Sequence, residues 1–126
     1  MPNTQLVCIL SPVKPIGGDK LRGHLEGLVL SVLERGEGHG LEILRRLETA
    51  GEGTLEMKEG SLYPALYRLE REGLIKARWD EETKGRRGPR RRVYRLTAKG
   101  TAALSRGREE WRLFVRVMGG ILGGAT

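Results

Sequence analysis

The chain has 126 residues, enough for one packed domain plus an appendage and too few for two substantial cores. Its 38% hydrophobic and 31% charged residues exclude a disordered chain, and a lone cysteine, Cys8, excludes an internal disulfide or a cysteine-built zinc site. The formal charge of +7 selects an acidic partner, and one cysteine fits a reducing, cytoplasmic setting.

Residues 1–20 carry Pro2, Pro12, Pro15, Gly17 and Gly18, which oppose continuous helix and predict an N-terminal arm. The apolar run Leu6 to Leu10 within it is too short for a membrane span or an export signal, so no membrane association is expected.

From Leu21, the apolar positions Leu25, Leu28, Val29, Val32 and Leu33 trace one face of a first helix, which Gly36 and Gly38 end. Leu41, Ile43, Leu44 and Leu47 define a second, with Arg45, Arg46 and Glu48 outside and a stop near Gly51. The third is expected to start at Ser61 as N-cap and to bury Leu62, Leu66 and Leu69, with Gly73 closing it. Pro64 then falls in the first turn, where a missing N–H costs little.

After Gly73, Ile75, Ala77 and Trp79 alternate with Lys76, Arg78 and Asp80, and Tyr94 and Leu96 alternate with Val93 and Arg95. That period of two predicts a hairpin, with residues 84–89 at its tip. Thr97 is placed to cap a last helix whose residues Leu104, Trp111, Val115, Met118 and Leu122 form a coiled-coil-like seam. Leu113, Phe114, Val117 and Ile121 widen it beyond what so small a domain can bury, so a second copy is the expected partner. Leu104, Trp111, Val115 and Met118 are the dimerisation candidates.

The charge has one source. Between Lys84 and Arg95 lie Lys84, Arg86, Arg87, Arg90, Arg91, Arg92 and Arg95 with no acidic residue, and elsewhere the remaining 16 cations cancel the 16 anions. Three helices followed by a hairpin with a basic tip is the element order of a winged helix-turn-helix domain. The expected fold is therefore mainly α with a small β-hairpin. An arm spans 1–20, the winged helix 21–97, and a C-terminal dimerisation helix and tail 98–126.

Ser61, Tyr63, Tyr67, Arg68 and Arg71 are distributed around the unburied sides of the third helix. Arg68 suits either guanine or phosphate, and Ser61 with the helix N-terminus suits phosphate. Arg86 and Arg87 beside Gly85, Gly88 and Pro89 suit a minor groove or its flanking phosphates, while Arg90 would track the backbone. No nucleophile–base pair or phosphate-cradling glycine loop is present, so an enzyme is not expected. His24 and His39 stand apart from other ligand types, and neither a metal nor a cofactor is expected. The rival reading is a winged-helix protein-interaction or RNA-binding module, since fold alone does not set function.

The stretch Glu59-Gly-Ser-Leu-Tyr-Pro-Ala-Leu-Tyr-Arg-Leu-Glu-Arg-Glu-Gly-Leu-Ile75 resembles the PadR family of transcriptional regulators. So do Leu21-Arg-Gly, His39-Gly-Leu-Glu, Gly88-Pro-Arg-Arg-Arg-Val-Tyr-Arg-Leu-Thr97, Gly100 and Trp111. The resemblance implies a homodimeric repressor on pseudo-palindromic double-stranded DNA, its C-terminal helix packed on the partner's N-terminal helix. It makes Ser61, Tyr63 and Arg68 the helix contacts and the Lys84 to Arg87 tip the wing contact. Trp111, by residue type a dimer-core aromatic, becomes the candidate for stacking a planar aromatic effector. Two departures stand out: Leu41 where the family has tyrosine after His-Gly, and Glu59 where a small hydroxyl residue is usual.

Overall fold

The computed structural model describes residues 16, 17, 21, 23–81 and 90–123. Among these residues, four helices and three strands follow in the order α1 (Leu25–Glu34), β1 (Gly38–His39), α2 (Gly40–Ala50), α3 (Glu59–Arg71), β2 (Ile75–Trp79), β3 (Arg92–Leu96) and α4 (Ala98–Leu122). The first three helices enclose one core of Val29, Leu30, Leu33, Ile43, Leu47, Leu62, Leu66 and Leu69, which Ile75, Tyr94 and Leu104 complete.

The sheet has three strands rather than the two of a simple hairpin. β3 is central, antiparallel to β2 on one side and to β1 on the other. Gly38 and His39, which no period-two alternation marks as a strand, pair with Tyr94 and Val93. Val93, placed by alternation among the outward residues, is buried, as Tyr94 is on the opposite face.

Helix α3 starts two residues before the expected cap. Lys58 occupies the N-cap without a side-chain cap bond, and Ser61 lies within the first turn, its N–H donating to the Lys58 carbonyl at 3.0 Å. Pro64 is thus a sixth helical position and deletes the bond to the Gly60 carbonyl; that carbonyl lies on an exposed residue, where water can serve it. The other end is as expected. Gly73, at φ +78°, lets its N–H reach the Glu70 carbonyl and the next N–H reach Leu69, a Schellman closure that turns the chain into β2.

The expectation for α4 holds at its start. The Thr97 hydroxyl accepts from the Gly100 N–H at 3.0 Å and donates back toward the Gly73 and Leu74 carbonyls, tying the helix to the end of α3. Leu104 departs from the expected seam. It is 4% exposed and belongs to the core of its own domain, because α4 crosses α1 before running clear of it. From Trp111 onward, Leu113, Phe114, Val115, Val117, Met118, Ile121 and Leu122 are all exposed.

One piece of the arm is described. Ile16 forms a parallel bridge to Leu55, donating to the Thr54 carbonyl at 2.7 Å and accepting from the Glu56 N–H at 2.8 Å. The remainder of the arm, the wing tip with Lys84, Arg86 and Arg87, and the last three residues lie outside the described residues.

Candidate nucleic-acid interface

The buried stripe Leu62, Ala65, Leu66 and Leu69 fixes which side of α3 looks outward. At 100° per residue, Gly60, Pro64, Tyr67 and Arg71 lie opposite that stripe. Tyr67 is 65% exposed, and the Arg71 guanidinium sits 5.8 Å from its ring centroid, as an i, i+4 pair leaning back along the helix should. Sequence reasoning placed both on unburied sides without choosing them; the i, i+4 spacing was the available signal.

The three expected contacts of α3 fall on two sides, Ser61 and Arg68 on one flank and Tyr63 on the other. Ser61 is exposed, and among the described residues its hydroxyl has no partner. Arg68 flanks the outward face toward α1, where its Nε lies 3.7 Å from Glu26 Oε1, both side chains nearly half exposed. Such a pair is worth about 0–1 kcal/mol, so Arg68 can be recruited by a phosphate or base at little cost. Tyr63 flanks the opposite side and lies over Gly40 at the start of α2.

The sheet carries the rest of the charge. Lys76, Arg78, Arg91 and Arg95 are exposed on its strands or at their ends, with Arg78 paired to Glu37. Arg91 Nη1 is 3.2 Å from His39 Nε2, which also lies 3.1 Å from Glu42 Oε1. Arg46 closes the same corner by donating to the Gly36 and Glu37 carbonyls at 2.9 and 3.0 Å. Arg92 makes a forked ion pair with Glu70 of α3 at 2.7 and 3.1 Å, which holds its guanidinium charged above the usual range. Arg90 is exposed at the wing root, 3.6 Å from Glu81.

On α4, Trp111 is 51% exposed, stacked on Phe114 with ring centroids 5.6 Å apart and met edge-on by His24 at the same distance. Just before it, Arg108 grips Glu34 of α1 through two bonds of 2.8 and 3.1 Å and reaches Ser31 Oγ at 3.2 Å. Among the described residues no group of His, Cys, Asp or Glu could hold a metal ion, and no helix is long and apolar enough to cross a membrane.

The family model for the PadR-like transcriptional regulators matches residues 29–106, from α1 into α4. The chain belongs to that family.

Solved structures of transcriptional regulators agree with this assignment. The chain is 36% identical to a transcriptional regulator from Clostridium thermocellum, covering 80% of this chain and 95% of that one with a TM-score of 0.72. It is 30% identical to a PadR-like transcriptional regulator from Bacillus cereus, covering 85% and 99% with a TM-score of 0.70. A transcriptional regulator of Mycobacterium tuberculosis is 38% identical over 85 residues, 67% of this chain and 73% of that protein. Of the Escherichia coli transcriptional regulator YqjI, 30% identical over 88 residues, the match spans only 39%.

The PadR-like match ends at residue 106, just before the exposed aromatic stretch of α4. Trp79 is the remaining exposed aromatic on the sheet, read from sequence as a strand residue alone.

Proposed function

We propose that this PadR-like regulator is a homodimeric DNA-binding repressor that lays α3 in the major groove of each half of a pseudo-palindromic operator. Its wing arginines would follow the neighbouring backbone. The observation that carries this reading is the placement of the chain's entire net charge on the hairpin adjoining α3. Ser61, Tyr67, Arg68 and Arg71 supply donors along α3. Tyr63 flanks the groove, and Lys84, Arg86, Arg87 and Arg90 engage phosphates. The exposed stripe Trp111, Val115 and Met118 supports dimerisation through α4, and the Trp111–Phe114 stack supports control by a planar aromatic effector at that interface.

The test is binding of the purified protein to its own promoter DNA, followed by fluorescence anisotropy at several salt concentrations. A dimer using about six phosphate contacts should lose roughly a thousandfold in affinity between about 50 and 200 mM salt. Salt-insensitive binding, or unchanged affinity in Arg86→Ala with Arg87→Ala, would contradict the reading. Adding planar aromatic compounds should quench Trp111 and release DNA together; quenching without release would separate ligand binding from regulation.

A further inference from the structure

An exposed tryptophan at the end of an edge strand is a poor use of a large apolar side chain unless its face is occupied. Trp79 ends β2 and is 49% exposed, and it takes no part in the core. Its cross-strand partner is Arg92, and directly opposed residues of an antiparallel pair share one face of the sheet. Two guanidinium groups lie at the indole: Arg90 at 5.3 Å from the ring centroid and Arg92 at 5.8 Å.

The two arginines differ in what else they touch. Arg92 is held from three sides, by Trp79, by the Tyr94 ring at 5.8 Å and by the forked pair with Glu70 of α3. It is a strut between helix and wing. Arg90 has the indole and a long, half-exposed contact with Glu81, so its charge remains open to a phosphate. The contacts run from α3 through Glu70, Arg92 and Trp79 to Arg90.

We propose that Trp79 is a positioning residue of the DNA interface: its indole holds the Arg90 guanidinium at a fixed distance from α3, so that helix and wing meet the phosphate backbone as one preorganised surface. This rests on the DNA-binding reading above. A flexible arginine loses rotamer freedom when it binds, and a stacked one has lost it beforehand, so the indole lowers that cost.

The experiment measures operator affinity and its salt slope for the full-length wild type, Trp79→Phe, Trp79→Leu, Arg90→Ala and the Trp79→Leu/Arg90→Ala pair, with thermal midpoints recorded alongside. Trp79→Leu is expected to lower affinity on the order of tenfold for the dimer and to shallow the log–log salt slope by up to about two, one phosphate per protomer. Trp79→Phe, which keeps an aromatic face, should lie between it and the wild type. In the Arg90→Ala background Trp79→Leu should add nothing.

A loss of affinity with an unchanged slope, or fully additive effects in the pair, would assign Trp79 a merely structural role and overturn the proposal. If Trp79→Leu does not fold, Arg90→Ala decides: wild-type affinity and slope in that variant also overturn it. A wild type that binds no DNA sinks the functional reading itself, an outcome distinct from wild-type binding with unaltered Trp79 variants.

Discussion

Tyr63 of α3 lies across Gly40 of α2 so closely that a β-carbon on Gly40 would stand 2.7 Å from the tyrosine Cζ and 2.8 Å from Cε1. Real β-carbons do not approach that near, so the glycine is the space the ring occupies. The pairing gives His39-Gly40 a physical role in seating a side chain of the candidate DNA-binding helix. The atoms an added β-carbon would meet are the far end of a half-exposed side chain that can swing aside, so Gly40→Ala should destabilise the domain by about 1 kcal/mol, the low end of overpacking. Tyr63→Leu should recover most of that loss in the double variant, and equal losses with and without the tyrosine, in a denaturant series, would refute the account.

Gly100 presents a harder constraint. Its β-carbon would run into the Leu74 carbonyl oxygen, 3.0 Å from the carbonyl carbon and 2.8 Å from Leu96 Cδ1. Backbone cannot rotate aside as a side chain can. Gly100→Ala is therefore expected to cost about 3 kcal/mol or more, read as a fall in the denaturation midpoint with the α3–β2 corner disturbed.

Leu104 and Met118 lie on one helix in different settings, the first buried in the core and the second exposed. Leu104→Ala should cost about 2–5 kcal/mol of domain stability as a core cavity. Met118→Glu should leave the domain folded and weaken self-association, measured by sedimentation. A Met118→Glu protein as tightly associated as the wild type would remove this seam from the dimer.

Glu34 and Arg108 fix where α4 meets α1. Hydrogen bonding from Arg108 holds the Glu34 carboxyl below its ordinary value of 4.5. A carboxylate depressed in the folded state contributes stability that is complete above that ordinary value and is lost as pH falls through its lower folded value. The stability advantage of wild type over Glu34→Gln should accordingly be constant near neutrality and shrink below about pH 4.5; the opposite trend would reject the pair's role. The pair is solvent-exposed, so the effect is small.

Tyr94 behaves in the reverse sense. Burial raises its phenol above the ordinary value of 10.0, so the unfolded chain ionises first. Stability from this group is full below that value and declines as pH rises through the folded one, a decline that Tyr94→Phe should reduce in alkaline melts.

Much of this molecule is legible in one dimension. Apolar spacing marks the buried faces of α1, α2 and α3 because each helix has one neighbouring core to meet. Gly73 marks the end of α3 and Thr97 the start of α4 because capping is a matter of a few adjacent residues. The start of α3 is not legible in the same way, because a serine just ahead of an apolar stripe has the composition of a cap, whereas Lys58 takes that position with no side-chain bond. Trp79, Arg92 and Glu70 could not be joined from sequence, since strand register and helix packing bring them together.

The sequence by itself determined the winged-helix order of elements, the concentration of charge between Lys84 and Arg95, and an apolar C-terminal helix too wide for one domain to cover. These are properties of composition and local periodicity. Tertiary structure decided the third strand, the burial of Val93 and Leu104, the turning of Tyr63 onto Gly40 and of Arg68 toward Glu26, and the outward display of Tyr67 and Arg71. All but the last depend on residues far apart in the chain, where close packing and charge pairing, rather than propensity, select the arrangement.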